Sequence, residues 1–298
     1  MRSFPTLLAV AAVAASGATF VHLAPRFTTG PSDVRTPVAA DAPDLASAPS
    51  PAESATRFFG SPPVIELPQT PQDPDRIREF FFTRAAYTSY GGFGRRGGGS
   101  WRTDFPEADR HFMVVLKRLT NLDGYDDYNA ITLTDPALRR YPFLYALEVG
   151  RMSLTGPEIQ GLRDYLEAGG FLVIDDFWGG QEWQNFEYEM ARVLPGREIV
   201  DLTLDHPLFS TFYDIEEVRQ TPAIGRGVNG VPTWERPDAQ VPLVRGIYDD
   251  EGRLMVVINF NTDLGDAWEH AENPFYPLEY STYAYQVGVN MVVYGMSH

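Results

Sequence analysis

The sequence predicts an α/β fold, a three-layer sandwich with a mostly parallel sheet and an added β-hairpin. Three observations lead to this prediction. Short apolar runs typical of strands alternate with segments of helical periodicity, which is the pattern of a parallel α/β sheet. Residues 171–174 are all apolar, and this lack of alternation indicates a strand buried on both faces. Residues 241–248 and 253–260 flank the turn sequence Asp-Asp-Glu-Gly, which is typical of a hairpin.

The first two elements follow from local pattern. Residues 80–87 are predicted to form the first strand. The next segment, 104–121, is predicted to be a helix because its apolar residues recur at helical spacing. Asp104 is its expected N-cap, with Pro106 and Glu107 in the first turn.

A second helix is predicted in the segment 153–170. Thr155 and Glu158 have the spacing of a capping box. Gly169 and Gly170 end this helix, because glycine readily adopts the left-handed backbone found at helix C-termini. The remaining predicted elements are strands at 130–133, 143–147 and 198–202 and helices at 182–194 and 283–296.

Composition limits the functions that the chain can perform. Hydrophobic residues make up 44% of the chain, which indicates a mostly globular protein. The formal net charge is −16, and so acidic a surface argues against a nucleic-acid partner. The absence of cysteine excludes disulfides, thiolate metal sites and a cysteine nucleophile. The oligomeric state is left open by the sequence.

The N-terminal part indicates an exported protein. Residues 1–24 are predicted to be a signal peptide or a signal anchor, with Arg2 before a mostly apolar stretch. Residues 25–76 are rich in proline and alanine and are predicted to be a disordered linker. The folded domain is predicted to span 77–298. We expect a periplasmic protein, or one anchored to the inner membrane and facing the periplasm.

A glycine-rich loop follows the first predicted strand, and ligands bind beyond strand ends in open α/β sheets. Six of the nine residues in 91–99 are glycine. The backbone from Gly91 and Gly92 onward can therefore approach a ligand closely. Arg95 and Arg96 would add charge-assisted hydrogen bonds to an anion or a sugar. The alternative is a flexible surface loop.

An acidic corner follows the strand at 171–174. Neighbouring strand residues point to opposite faces, so we expect Asp175 and Asp176 to play different roles. One is expected to face a ligand crevice, with Asp176 the better candidate, and the other to cap the next helix or bind an arginine. Trp178 is predicted to form a wall of this crevice, and Gln181 lies at its end. The expected ligand is a polar small molecule or an envelope component.

Four further side chains are candidate ligands of a divalent metal: Asp205, His206, Asp263 and Asp266. The segment around Asp263 and Asp266 resembles an oxygen-rich calcium cluster but lacks the EF-hand pattern. Helix capping by these two aspartates is the alternative, and His206 would then belong to a structural turn before a proline. A helix beginning at Asp266 would place Glu269 or His270 on the same face.

The motif L-x-x-Y-L-x-x-G-G-F-L-V, followed by a glycine-containing corner, resembles the class I glutamine amidotransferase-like superfamily. This resemblance implies a flavodoxin-like sandwich with a nucleophilic cysteine on a turn of the form G-x-C-x-G-x-Q. Gly179 and Gln181 match that turn, whereas Asp175 replaces its first glycine and Phe177 stands at the cysteine position. The downstream His-x-Glu of that superfamily is also absent. We therefore expect the fold without glutaminase activity.

A second resemblance covers nearly the whole folded part. Seven blocks in the same order are similar to the bacterial DUF4159 family: FFFTRAAYTSYGG, WRTDFPEADRHF, RYPFLYALEVG, GGFLVIDDFWG, LTLDHPLFSTFYDI, NFNTDLGDAWEHAENP and YQVGVNMVVYGMSH. The family is a domain of unknown function placed with the amidotransferase-like folds. Its members are often exported or membrane-associated. The resemblance thus implies a fold and a compartment but no reaction.

Two functional hypotheses remain open at this point. The first is a non-catalytic ligand-binding or scaffolding module of the cell envelope. The second is a carboxylate- or metal-dependent hydrolase acting on an envelope glycan or peptide, although the common hydrolase motifs are absent from the sequence. Convergence of the candidate residues in one cleft would favour the hydrolase, and scattered positions would favour the binding module. The residues to be compared are Asp176, Asp205, His206, Asp263 and Asp266.

Overall fold

The computed structural model describes residues 80–90 and 100–298, which lie in the unit Ala55–His298. The predicted signal segment 1–24, the linker 25–76 and the loop 91–99 lie outside the described residues. The candidate ligand residues Gly91, Gly92, Arg95 and Arg96 fall in that loop. Within the described part of the chain, no helix is long and apolar enough to cross a membrane.

A seven-stranded sheet forms the middle layer, with the strand order β2-β1-β3-β4-β7-β6-β5. Its first five strands in that order are parallel, and β6 is antiparallel to both of its neighbours. The parallel part has the flavodoxin-like strand order 2-1-3-4-5. The predicted α/β class is therefore confirmed. The strands are β1 Thr83–Ala86, β2 Asn129–Thr132, β3 Phe143–Leu147, β4 Phe171–Asp175, β5 Val200–Asp201, β6 Leu243–Tyr248 and β7 Leu254–Phe260.

Helices cover both faces of the sheet. Side chains of β4 alternate between two hydrophobic cores, with Phe171 and Val173 in one and Leu172 and Ile174 in the other. This two-sided burial is why the sequence of β4 is continuously apolar. The first core includes α1, α4 and α5, and the second includes α2 and α3. The helices are α1 Glu107–Thr120, α2 Gly156–Glu167, α3 Gly179–Val193, α4 Leu264–Glu269 and α5 Leu278–Ser297.

Capping patterns in the sequence predicted one helix start correctly and another wrongly. The capping box of α2 is present, because the Thr155 side chain accepts from the Glu158 backbone N–H and Glu158 bonds back to the Thr155 N–H. The prediction of Asp104 as an N-cap is wrong. The first helix begins at Glu107 with Pro106 as its N-cap, and Asp104 has a left-handed backbone with φ of 59°. Its carboxylate is therefore free to point elsewhere.

The predicted hairpin is present, but its second strand lies inside the sheet. Strand β7 pairs with β6 on one side and with β4 on the other. All seven of its residues are buried, which requires a neighbour on each side and cover on both faces. The added antiparallel part is therefore β6 with the two-residue β5, and β7 is the fifth strand of the parallel core.

The long connection from β5 to β6 crosses the carboxyl edge, which we define as the edge where the parallel strands end. We call its residues 220–241 the strap. The Gln220 side-chain amide donates to Asn261 O at 2.8 Å, and the Asp263 N–H donates to Thr221 O at 3.0 Å. At the other end of the strap, Asn261 Nδ2 donates to Val241 O at 2.8 Å. These bonds tie the strap to the residues that follow β7.

Candidate functional site

Three adjacent parallel strands end in the same unusual backbone conformation. Glu148 follows β3, Asp176 follows β4 and Asn261 follows β7, with φ values of 56°, 46° and 60°. Positive φ is uncommon outside glycine, although asparagine and aspartate adopt it more readily than glutamate. The Glu148 N–H donates to Asp176 O at 2.9 Å, and the Asn261 N–H donates to Phe177 O at 3.1 Å. The strand ends are thus linked to one another, and polar side chains are held at the carboxyl edge.

Asp175 is fully buried and joins three elements. Its Oδ2 accepts hydrogen bonds from Tyr145 Oη at 2.5 Å, Leu264 N at 2.8 Å and Gly265 N at 3.1 Å. Burial raises the pKa of Asp175 to about 7, although these hydrogen bonds favour the ionised form. The prediction that one acid of the pair caps the next helix is wrong, because α3 has no side-chain cap and Asp175 instead accepts from the first two N–H groups of α4.

Asp176 is also buried, with 7% of its surface exposed. Its Oδ1 accepts a hydrogen bond from Trp178 Nε1 at 2.8 Å. Burial, together with the nearby charges of Glu148 and Asp104, holds the pKa of Asp176 well above its ordinary value. Trp178 is itself only 2% exposed, so it supports Asp176 from below the surface and does not form the open wall of a crevice.

The N-terminus of α3 is bound by other parts of the same chain. The Gly179 N–H donates to Asn261 Oδ1 at 2.9 Å, and the Gly180 N–H donates to Asp238 Oδ2 of the strap at 2.8 Å. Glu182 Oε2 accepts from the Trp178 N–H at 2.7 Å. The corner that the sequence indicated as a ligand site is thus occupied by these side chains, and the predicted site residue Gln181 is exposed beside it.

The predicted metal residues Asp263 and Asp266 do lie at this edge, and Asp104 joins them. Each of the three offers a carboxylate oxygen within 4.8 Å of those of the other two. Asp263 is the N-cap of α4, since its Oδ1 accepts from the Asp266 N–H at 2.8 Å. Asp266 Oδ2 accepts from the Ile224 N–H of the strap at 2.5 Å. We call Asp104, Asp175, Asp176, Asp263 and Asp266 the acidic cluster.

Two oxygens of this cluster, Asp104 Oδ2 and Asp175 Oδ1, lack the partner that their burial requires among the described residues. Asp104 Oδ2 is buried and accepts no hydrogen bond from the residues that the structure describes. Such an atom costs about 1–3 kcal/mol when it is left unsatisfied. It lies against Gly265, where an added Cβ would be 2.6 Å from Asp104 Oδ2 and 3.3 Å from Tyr145 Oη. The glycine therefore leaves room for a carboxylate between α4 and β3.

The carboxylates at this edge affect one another. Burial and the charge of Asp266 hold the pKa of Asp104 well above its ordinary value, with Arg84 acting in the opposite direction. Burial and the charge of Asp176 do the same for the pKa of Asp263. Arg84 is fully buried and already bound, because its Nη2 and Nε donate to Asp109 Oδ1 at 2.5 and 3.2 Å. Among the described residues, the cluster thus contains more carboxyl groups than neighbouring cationic side chains pair with.

The other predicted metal pair lies at the opposite end of the sheet. His206 packs its ring 6.3 Å from that of Tyr248, which pairs with the first residue of β7, and Asp205 is bonded to Thr203. Asp263 follows the last residue of β7, and a strand of that length spans about 20 Å. His206 Nδ1 accepts from the Leu208 N–H at 3.1 Å and caps a 3-10 turn. Neither residue is brought together with Asp263 and Asp266.

Comparison with known families decides where this fold belongs. Residues 84–296 match the family described as "Domain of unknown function (DUF4159)", a range that begins on β1 and ends within α5. The chain belongs to the DUF4159 family. No curated protein matches the chain significantly. The resemblance to DUF4159 stated from the sequence blocks is thereby confirmed, and the matched range contains every member of the acidic cluster.

In this DUF4159 domain, the main candidate site residue missed from the sequence is Asp104. It looked like a helix cap because it precedes a proline and a helical pattern. The signal that could have found it is its position after the loop that follows β1, since β1 and β3 are neighbours at the switch point where flavodoxin-like folds bind ligands. Three surface cavities of about 620–760 Å³ lie elsewhere, one of them beside Trp183 and Arg245.

Proposed function

We propose that this chain is a non-catalytic ligand-binding module of the bacterial cell envelope and that its acidic cluster binds a divalent cation. The observation that carries the proposal is the convergence of Asp104, Asp263 and Asp266 around a common point, with Asp104 Oδ2 buried and without a hydrogen-bond donor in the described part of the chain. Hard divalent cations take carboxylate oxygens as ligands. A bound cation would satisfy Asp104 and offset the repulsion among the buried acids.

The binding module is favoured over catalysis because the candidate residues divide between two places. Asp176, Asp263 and Asp266 converge at the carboxyl edge, whereas Asp205 and His206 lie toward the amino ends of the strands. The strap also covers the corner after β4, so the most recessed part of this edge is closed by the protein itself. This arrangement suits retention of a small ion more than turnover of a polymer.

We further propose that the fold is related to the class I amidotransferases without retaining their chemistry. The parallel strand order and the strand-to-helix turn at β4 support this relationship. Phe177 stands at the position of the nucleophile and is fully buried, with ring centroids of Phe186 and Phe260 at 5.1 and 4.9 Å. An aromatic ring packed in the core cannot form a covalent intermediate, and incubation with glutamine should release no ammonia.

Export remains part of the proposal and rests on the N-terminal sequence. Its apolar segment and its proline- and alanine-rich continuation are typical of a signal or an anchor followed by a spacer. Fractionation of cells that express the full chain tests this point. Recovery in the periplasmic or membrane fraction supports the envelope assignment, and recovery in the cytoplasm contradicts it.

Thermal unfolding in the presence of Mn²⁺ tests the cation site. A ligand that binds only the folded state stabilises it by about 2.7 kcal/mol at 100 times its Kd. We expect Mn²⁺ to raise the melting temperature of the wild-type chain and EDTA to reverse the effect. Asp104→Asn should abolish the shift, whereas Asp214→Asn, at an exposed aspartate, should leave it unchanged. Equal shifts in both variants, or none in the wild type, would contradict the proposal.

A metal-dependent hydrolase is the second candidate, and Glu235 is the observation that favours it. This strap residue forms an ion pair with Arg226, and burial raises its pKa despite that pairing, with Glu182 and Asp266 adding to the shift. A carboxyl group with a raised pKa beside a cation could act as a general acid or base. Hydrolysis of envelope glycans or peptides that depends on both Mn²⁺ and Glu235 would establish this candidate in place of the binding module.

A further inference from the structure

We infer that the site holds two divalent cations bridged by Asp266. The first would be bound by Asp104, Asp263 and Asp266, and the second by Asp266, Glu269 and His270. The inference rests on the proposed function, because the first cation is the one proposed above. It adds a second ion, a nitrogen ligand and a bridging carboxylate, none of which the first group alone requires.

The second group is built on one short helix. Asp266, Glu269 and His270 occupy positions i, i+3 and i+4 of α4 and its C-cap, which lie on the same helix face. His270 Nε2 lies 3.3 Å from Asp266 Oδ1 and 3.7 Å from Glu269 Oε2. Each residue offers a ligand atom within 4.8 Å of the other two. His270 and Glu269 are about one-quarter exposed, so an ion could reach this position from solvent.

Asp266 belongs to both groups, and its two oxygens have different partners. Its Oδ1 is directed at His270, and its Oδ2 accepts the Ile224 N–H. A carboxylate with two separately directed oxygens can bridge a pair of ions, which lie about 3.5–4 Å apart in two-metal sites. Asp263 fixes the start of α4 by capping it, so Asp266 is held in place from both the helix and the strap.

Two further observations point to a ligand and not only to a patch of charge. Asp104 Oδ2 is buried with no donor from residues 80–90 or 100–298, and buried polar atoms in folded proteins are normally satisfied by protein, water or an ion. Its position beside Gly265 is open only because that residue has no Cβ. Asp266 belongs to both groups, which places the second group beside the first.

The ligand types indicate the class of metal. The first group supplies only carboxylate oxygens, whereas the second adds the imidazole of His270. Imidazole suits Zn²⁺, Fe²⁺ and similar ions, and carboxylates suit Mg²⁺, Ca²⁺ and Mn²⁺. Mn²⁺ accepts both kinds of ligand and gives a spectroscopic signal, so it is the probe used in the test below.

The experiment measures Mn²⁺ bound per chain and the electron paramagnetic resonance spectrum of the bound ions. The full chain is stripped with a chelator and equilibrated with Mn²⁺. We expect two ions per wild-type chain and a spectrum broadened by exchange coupling between them. His270→Ala should retain one ion with the six-line spectrum of isolated Mn²⁺. His206→Ala is the matched control, because that histidine lies far from α4, and it should retain two coupled ions.

The outcomes separate this inference from the proposed function. One Mn²⁺ per wild-type chain, unaffected by His270→Ala, would overturn the bridged pair but leave the single-cation site intact. No specific Mn²⁺ binding would overturn both. Two ions without exchange coupling would place the second ion elsewhere and also overturn the bridge. Asp266→Asn should lose both ions, and His270→Ala keeps the inference testable if that variant does not fold, because His270 is partly exposed.

Discussion

The two ends of the parallel sheet differ in their backbone strain and in how well their buried polar groups are paired. Where the strands begin, aromatic rings pack against one another, as between Phe143 and Phe171 and between Phe171 and Tyr294. Tyr165 Oη both donates to Phe171 O and accepts from its N–H, so polar groups there are satisfied. Where the strands end, the described residues include left-handed backbone, buried acids and two carboxylate oxygens without a hydrogen-bond donor.

This contrast shows where the fold has not been optimised for stability. Strained backbone and unpaired buried charge each cost about 1–3 kcal/mol, and proteins tend to retain them at functional sites. At the amino end, the described residues discussed above have neither left-handed backbone nor an unpaired buried side-chain atom. At the carboxyl edge, left-handed residues follow β3, β4 and β7, and buried carboxylate oxygens lack a donor among the described residues. If the contrast reflects binding, variants at this edge should change cation affinity or stability. We give them below from the largest expected effect to the smallest.

The largest effect is expected from Gly265→Ala. The new Cβ would lie 2.6 Å from Asp104 Oδ2, so the carboxylate must move out of the place where it would meet the cation. We expect Mn²⁺ affinity to fall more than tenfold in a titration, with a loss of about 1–3 kcal/mol in urea unfolding. Gly156→Ala is the matched control, because a Cβ at that helical position meets nothing within 4 Å. Equal Mn²⁺ binding by both variants would remove Asp104 from the site.

A smaller and pH-dependent effect is expected from Asp175. Its pKa is raised by burial to about 7, so the folded chain binds this proton more tightly than the unfolded chain does. The stability from this proton is present below about pH 4, the pKa of an unfolded aspartate, and is lost as pH rises through about 7. The melting temperature should therefore fall between pH 5 and 8 more steeply in the wild type than in Asp175→Asn.

That measurement is made in EDTA so that cation binding does not contribute. Asp214→Asn serves as the control, because Asp214 is exposed. Its pH profile should parallel that of the wild type. A profile of Asp175→Asn that also parallels the wild type would show that Asp175 does not titrate in this range, and the contrast between the two ends would then rest on the other acids.

The smallest effect is expected from Glu148→Gly. A residue other than glycine pays about 1–2 kcal/mol for left-handed backbone, and Glu148 has φ of 56°. We expect Glu148→Gly to be more stable than Glu148→Ala by about 1 kcal/mol in urea unfolding, because both remove the side chain but only glycine removes the strain. The lost ion pair with Arg151 spans 3.9 Å at the surface and contributes little. Equal stability would show that this strand end is unstrained.

The sequence was sufficient for the elements because their signals are local. The periodicity of α1, the capping box of α2 and the continuous apolar run of β4 all depend on neighbours within a few residues. The position of β7 inside the sheet was not predicted, since strand order depends on contacts between distant segments. A hairpin pattern in sequence is the same whether its second strand lies at an edge or in the middle.

The candidate site was predicted in part for the same reason. The rule for open α/β sheets placed Asp175 and Asp176 at this edge, whereas Asp263 and Asp266 were predicted only as metal ligands and their convergence with Asp176 was left open. The burial of Trp178 was not predicted, because the sequence does not show that the Trp178 indole N–H bonds to Asp176. The strap could not be foreseen, since its route is fixed by bonds such as that between Ile224 and Asp266, which are 42 residues apart.

The bond between Ile224 and Asp266 also has a consequence for rates. It places the Ile224 N–H of the strap on an oxygen of the carboxylate that would bridge the ions, so we expect exchange of the inner ion to require opening of this bond. Local opening of a strap anchored by several hydrogen bonds is far slower than diffusion of a hydrated ion. We therefore expect the inner ion to exchange slowly and the outer ion, beside the partly exposed His270, to exchange quickly.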